Sequence, residues 1–338
     1  MIYVITILIC VLFCLISKKY SKAEKLIVMP FLITFFISAI RYNVGMDYNS
    51  YYELYNNINS SLASGYEKGF CFIIKILRLL FNTPQALFVL TSFIFCFLVY
   101  KCIKANEDDK ALQYFIFITS TFYFFSMNGI RQSIAIIIFY YSLKYVKEKN
   151  FNKYLICNLL GIIFHEISIV FIPLYFVLGH HFKNKNKLII IIVVALLSNY
   201  AVKLIGLVLS NTKYYHYIRS GSYFTLGKFN ISSIINLLIF IMYCIGIKDK
   251  NEDDIIYENI HFLGIITSIF LPILPLANRF FINFRYIEFL SVPNLVKNIN
   301  LKEKKYLTIS VYALYTIYFL YSLFIGNSNS VLPYKTFF

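Results

Sequence analysis

Charge is scarce in this sequence. Asp, Glu, Lys and Arg make up 14% of its 338 residues, against about 25% in a soluble domain. No stretch is both long and polar enough to form a separate soluble domain, so one domain over residues 1–338 is expected. The seven cysteines include no C-x-x-C pair and lie mostly in apolar blocks, which argues against a zinc site or a disulfide framework. A glycine-rich phosphate loop is absent, as is an internal repeat of about 20–50 residues. Acids are outnumbered, 16 against 32 bases, for a formal charge of +16. No helix-turn-helix, RNP or zinc-finger pattern accompanies that excess, so nucleic acid is not expected as a partner. The first apolar block lacks a basic n-region and a small-x-small cleavage site and is followed by Lys18-Lys19, so it reads as a retained helix.

What is present is apolar sequence in long blocks, 59% of the chain by residue type. Met1–Ser17, Leu26–Ile40, Leu188–Ser210 and Tyr306–Ile325 approach the roughly 20 apolar residues that cross a bilayer core. The chain therefore reads as an all-α polytopic integral membrane protein. Helices are expected at 1–17, 26–40, 84–100, 111–127, 130–146, 188–209, 231–247, 259–276, 280–296 and 306–325. The lysine-rich loops 18–25, 101–110, 144–153, 183–187, 248–250 and 297–305 are assigned to the cytoplasmic side. Lysine loops flank Tyr154–Gly179 on both sides, so this stretch must leave and return. It is expected to form a bent pair of short helices with its tip near Phe164-His165-Glu166, tolerated where it is buried in protein or lines a cavity. One long tilted helix with a lysine loop outside is the alternative. The first arrangement gives about twelve passes with both termini outside. Gly69–Phe81, amphipathic through Lys75 and Arg78, is expected to lie along the outer interface.

Arginine is scarce too, and its placement is one-sided. The six arginines, Arg41, Arg78, Arg131, Arg219, Arg279 and Arg285, all avoid the lysine loops and fall on the assigned outer side. Lysine suffices to hold a loop inside, whereas the guanidinium fork binds phosphate oxygens in pairs. Arginines on the face opposite the lysines point to an anionic ligand there, most simply a phosphate or pyrophosphate; snorkelling to lipid headgroups is the alternative. Most acids, including those of Glu107-Asp108-Asp109 and Glu252-Asp253-Asp254, sit in or beside lysine loops and are expected to be solvated. Asp47, Glu53, Glu67, Glu166 and Glu288 do not. They lie near an outer boundary or inside a helix, where an ionisable group is costly and usually functional.

Several short constellations stand out. After the second helix, Arg41 is followed by Gly45, Asp47, Tyr48, Tyr51 and Glu53. Tyrosines beside acids suit sugar binding, a ring face stacking on C–H groups while carboxylates accept hydroxyl protons; an interfacial aromatic belt is the alternative. Asn128-Gly-Ile-Arg131-Gln132 opens a helix, whose free N–H groups with Arg131 and Gln132 offer an anion site or simply a cap. His165 stands mid-membrane beside Glu166, as a structural residue or a catalytic one. No second His or Cys stands at ligand spacing from it, so no metal is expected, nor any other cofactor. Asn211–Asn230 is basic and aromatic, with Arg219 at its centre, and suits a lid or a headgroup contact.

In this order, Arg-x-x-Val-Gly-x-Asp-Tyr-x-x-Tyr from Arg41, Glu67, Asn-x-x-Arg-Gln at 128–132, Phe-His at 164–165, Arg-Phe at 279–280 and Pro-Tyr at 333–334 are familiar. The set resembles the EpsG family of Wzy-like bacterial polysaccharide polymerases and spans nearly the whole chain. Met46 stands where the family often has Thr, and Asn283 stands near a position where Tyr is common. The resemblance implies a GT-C-like helical membrane enzyme of the bacterial cytoplasmic membrane, with its active site facing outward. Its substrate would be an oligosaccharide linked to undecaprenyl pyrophosphate, with membrane lipid around it and a flippase and chain-length regulator as partners. Arg41, Arg131, Arg279 and Arg285 are then expected to grip the pyrophosphate, and His165, Asp47 or Glu67 to act as base. Gln132, Arg219, Tyr48 and Tyr51 complete the expected substrate contacts. An O-antigen ligase, a non-enzymatic glycan flippase or exporter, and a membrane acyltransferase based on His165 are the rival readings.

Overall fold

A computed structural model describes residues 1–208, 231–274, 277–300 and 304–338. Arg219 lies outside the described residues. Among them every regular element is helical, and the extended pairing amounts to one isolated bridge, Arg41 to Thr336. Four helices are long and apolar enough to cross a membrane: Ile2–Lys19, Gln85–Ala105, Asn184–Leu207 and Lys304–Ile325. Shorter apolar helices stand at Phe151–Phe164, Ser168–Leu178 and Ile231–Gly246. The chain folds into two compact units, one comprising 1–175, 288–293 and 303–338, the other 176–287 and 294–302.

The first unit opens with α1 (Ile2–Lys19), α2 (Met29–Ala39) and α3 (Tyr48–Asn56). It continues with α4 (Lys68–Leu80), α5 (Gln85–Ala105), α6 (Lys110–Thr119), α7 (Phe122–Asn128), α8 (Ile130–Lys147) and α9 (Phe151–Phe164). Its two ends differ chemically. At one end Lys18, closing α1, pairs with Asp109 at 3.0 Å, and Asp109 caps α6 by accepting from the Ala111 and Leu112 N–H groups. At the other end the Tyr3 hydroxyl donates to the Val331 carbonyl at 3.1 Å, and Gln85, opening α5, donates to the Ala39 and Arg41 carbonyls. Both ends of α4 stay here, since Glu67 precedes it at Arg131 and the Phe81 carbonyl that follows it accepts from the Tyr55 hydroxyl. The amphipathic helix expected over Gly69–Phe81 is present as α4, with Phe70, Cys71, Ile74 and Leu77 buried.

The expected helix over 111–127 is interrupted. Thr119, Ser120 and Thr121 are all buried, Thr121 adopts a left-handed backbone (φ 72°), and α6 ends where α7 begins. Short hydroxyl side chains compete for backbone partners, as Thr119 does by donating to the Phe115 carbonyl. Such a break survives in a bilayer because protein surrounds it. The stretch expected as one helix over 280–296 is also divided, into Ala277–Arg285 and Glu288–Asn298. The run after Arg41, expected as a loop, contains α3. Its buried residues Tyr48, Tyr51, Leu54 and Tyr55 follow helical spacing.

The segment at 154–179 doubles back. The Tyr154 hydroxyl, in the first turn of α9, donates to the Phe171 carbonyl at 2.6 Å, and Tyr154 lies 5.2 Å from the Tyr175 ring. α10 (Ser168–Phe171) and the 3-10 turn Ile172–Leu174 form the start of the returning arm. His165 to Ile167 make the tip between the arms.

In the second unit, α11 (Asn184–Val208) precedes α12 (Ile231–Gly246) and α13 (Glu252–Ile269). Helix α13 starts seven residues before the expected 259, because Asn251 and Asp254 form a reciprocal capping box. The early start carries Glu258 into the interior. Glu258 is 1% exposed and pairs with Lys187 and Lys250 at 2.7 Å each. Asp254 is buried against Asn298, and in the first unit Asp108 is also buried. The expectation that these acids are solvated is corrected: all three are buried, and Glu258 and Asp254 spend their lone pairs inside the protein, since an uncompensated buried charge is unstable.

Candidate functional site

The end of the first unit that carries Glu67 and Arg131 gathers most of the chemically active residues. The loop after α2 turns at Gly45, whose φ is +102°. A Cβ there would also sit 2.8 Å from Asn128 Oδ1 and 2.9 Å from the Met127 carbonyl, so both the turn and the close approach require glycine. Through that approach the Met46 N–H donates to Asn128 Oδ1, and Asn128 Nδ2 donates to the Asn329 carbonyl at 2.7 Å. The C-terminal tail fastens the same loop: the Gly45 N–H donates to the Ser330 carbonyl, the Tyr42 N–H to the Lys335 carbonyl, and the Tyr334 hydroxyl to the Ile37 carbonyl. The Pro-Tyr pair at 333–334 is thus a fastening of this loop.

Arg41 is 1% exposed. Its Nη1 donates to the Ser38 carbonyl (2.6 Å) and to the Ser38 and Ser92 hydroxyls, its Nη2 donates to the Met127 carbonyl (3.4 Å), and its guanidinium lies 4.9 Å from the centre of the Phe88 ring. Tyr48 stacks on the same Phe88 ring, with centroids 4.3 Å apart. This arginine ties α2, α5 and the end of α7 together. Asp47 is exposed, and its backbone carbonyl accepts the Tyr51 N–H of α3.

Arg131 stands second in α8, just after the Asn128–Gly129 break. Its Nη1 pairs with Glu67 Oε2, it is hydrogen-bonded to the Tyr51 hydroxyl, and its guanidinium lies 4.5 Å from the centre of the Tyr66 ring. Its Nε–H is buried and has no acceptor. A planar cation stacked on one face and paired through Nη1 keeps a donor for a second anion. Burial pushes the Tyr51 phenol up, against the opposing pull of Arg131. Gln132, next in the helix, is buried.

Glu67 reaches the hairpin tip because α4 and α9 approach closely at Gly69. A Cβ on Gly69 would fall 2.7 Å from Ile163 Cγ2 and 3.1 Å from the Ile163 Cα. Glu67 Oε1 accepts the Glu166 N–H at 3.3 Å and lies 3.8 Å from His165 Nδ1. His165 Nδ1 in turn accepts the Ile167 N–H at 3.1 Å. Glu67, Arg131 and His165 are each slightly open, at 13%, 19% and 15% side-chain exposure. The structure thus brings together Glu67, Arg131, His165 and Tyr51. Tyr66, which the sequence reading passed over, completes the group; its only linear signal is that it precedes Glu67.

Arg279 and Arg285 belong to the second unit, on α14 (Ala277–Arg285). Arg279 is exposed, whereas Arg285 is buried with its guanidinium 5.0 Å from the Tyr286 ring.

Apolar helices of spanning length define a multi-pass membrane protein, and the partly open cluster of ionisable and aromatic side chains at one helix end is its candidate site. The sequence profile of the EpsG family matches residues 24–336, and the chain belongs to that family, whose members are Wzy-like polysaccharide polymerases. The match includes every candidate residue named above. No curated protein and no solved structure shows a significant match to the chain.

Proposed function

We propose that the chain polymerises a surface polysaccharide of the capsule, exopolysaccharide or O-antigen type. A glycan carried on undecaprenyl pyrophosphate is transferred to a new lipid-linked repeat unit at the outer leaflet, and undecaprenyl pyrophosphate leaves. The observation that carries this reading is the arrangement on Arg131. A stacked, half-covered guanidinium with an unused N–H faces a carboxylate and an imidazole within one small cluster. Breaking a glycosyl–pyrophosphate bond requires charge stabilisation on the leaving group, which Arg131 supplies, and orientation of the acceptor hydroxyl, which Glu67, His165 and the tyrosines supply.

Within this reading Arg131 grips pyrophosphate with Gln132 behind it. Arg41, 1% exposed and with both Nη groups spent on carbonyls and hydroxyls, shapes the loop that carries Asp47, Tyr48 and Tyr51. Arg279 and Arg285 are candidate anion contacts of their own unit, and Asp47 with the tyrosines meets the sugar. A flippase supplies the repeat unit and a chain-length regulator acts beside the enzyme. The test is to incubate the purified full chain with lipid-linked repeat units and resolve the products by length. A ladder is expected. A single transfer would indicate a ligase, and no transfer with movement of units across vesicles would indicate a flippase.

A further inference from the structure

Glu67 has one carboxylate and two neighbours that can claim it. Oε2 is on Arg131, while Oε1 already faces the hairpin tip, held by the Glu166 N–H and 3.8 Å from His165 Nδ1. The hydrogen bond from the Ile167 N–H makes His165 Nδ1 an acceptor, so the neutral imidazole carries its proton on Nε2. In that tautomer neither ring nitrogen is ready to take a proton from a substrate: Nδ1 is engaged by the tip and Nε2 is already protonated. A base at Nε2 needs the other tautomer, with Nδ1–H directed at a carboxylate. Glu67 offers one at 3.8 Å, about 1 Å beyond a charge-assisted hydrogen bond.

We propose that Glu67 is a shared positioning carboxylate, and that a pyrophosphate group arriving on Arg131 releases it to His165, which thereby becomes the base for the acceptor hydroxyl. The idea rests on the polymerase reading above. Arg131 can exchange one anion for another without losing its place, because Tyr51 and the Tyr66 ring hold the guanidinium independently of Glu67. Its Nε–H, buried without an acceptor, gains one from a phosphate oxygen. Freed from Arg131, the carboxylate accepts Nδ1–H, and the imidazole exchanges tautomers through solvent with no net change in protonation. The acceptor O–H proton then passes to Nε2 as the new C–O bond forms. The glycosyl–oxygen bond to pyrophosphate breaks, its electron pair leaving with the lipid pyrophosphate on Arg131. The imidazolium paired with Glu67 finally returns its proton to solvent. Acceptor activation thus waits on donor binding.

If Glu67 were only an anchor for Arg131, its loss would loosen the arginine and weaken anion binding. A shared carboxylate predicts the reverse. For the full chain in detergent, Glu67→Gln should bind inorganic pyrophosphate at least threefold more tightly, since a competitor for Arg131 is neutralised. Its turnover on lipid-linked units should fall at least about 100-fold. In nitrogen-15 histidine spectra of the wild type, saturating pyrophosphate should move the His165 proton from Nε2 to Nδ1, and Glu67→Gln should show no such move. Unchanged or weaker pyrophosphate binding in the variant, or a wild-type tautomer that stays Nε2–H at saturation, overturns the exchange while leaving a polymer ladder intact. A wild-type chain that binds no pyrophosphate and makes no ladder removes the polymerase reading and this inference together.

Discussion

Replacing Arg131 by lysine separates charge from shape. Lysine keeps one positive centre for Glu67, but it cannot hold Glu67 and the Tyr51 hydroxyl along one edge while stacking on Tyr66. A hydrogen bond to a charged group contributes about 1.5–3 kcal/mol and an exposed cation–π contact about 0.5–1 kcal/mol, so the variant loses roughly 2–4 kcal/mol of positioning. If that loss falls on the transition state, polymer formation slows roughly 30- to 900-fold. The assay is ladder formation from lipid-linked units by wild type and Arg131→Lys at matched protein level. Unfolding temperature in detergent is followed alongside, to exclude loss of fold. Near-normal polymer from a folded variant would refute the argument, because it would show that a point charge suffices and the fork has no part in the chemistry.

Other consequences follow from single contacts. Gly45→Ala places a side chain against Asn128 and Met127 at a positive φ, so stability should drop by about 1–3 kcal/mol; an unchanged unfolding temperature would mean the loop does not hold this turn. Glu258→Ala leaves Lys187 and Lys250 as buried cations without their counter-ion and should cost about 3–5 kcal/mol, measured by denaturant unfolding in detergent. A loss under about 1 kcal/mol would show that these lysines reach water. Burial alone would raise the Asp109 carboxyl, but the Leu112 and Ala111 N–H groups and Lys18 outweigh it and hold it below its ordinary value. A depressed folded-state value stabilises above the unfolded value, about 4, and that contribution disappears as pH falls through the folded value. Asp109→Asn keeps the cap and should flatten the stability profile below about pH 4; an identical acid limb in both proteins would contradict this.

The membrane class, the apolar helices and the hairpin at 154–179 were legible because each rests on local composition or on charge at loop boundaries, and the bilayer converts those directly into structure. The motifs carrying Arg41, Asp47, Glu67, Arg131 and His165 were legible as residue types in order, enough to recognise the family. Their partnerships were not. Which acid meets Arg131 depends on α4 crossing α9 at Gly69, a contact between residues almost a hundred positions apart that leaves no trace in periodicity. The same holds for Arg41 and Arg131, alike in sequence as arginines at helix ends. Packing covers one with Phe88 and backbone carbonyls, at 1% exposure, and leaves the other stacked on Tyr66, paired with Glu67 and 19% exposed. Acids of the lysine loops divide similarly, Glu258 going inside because a capping box starts its helix early. The sequence by itself determined a helical membrane chain whose arginines avoid its lysine-rich loops, since hydropathy and charge act on each segment separately. Only the tertiary structure decided that Glu67 stands between Arg131 and His165, because a shared carboxylate exists only where three distant segments meet.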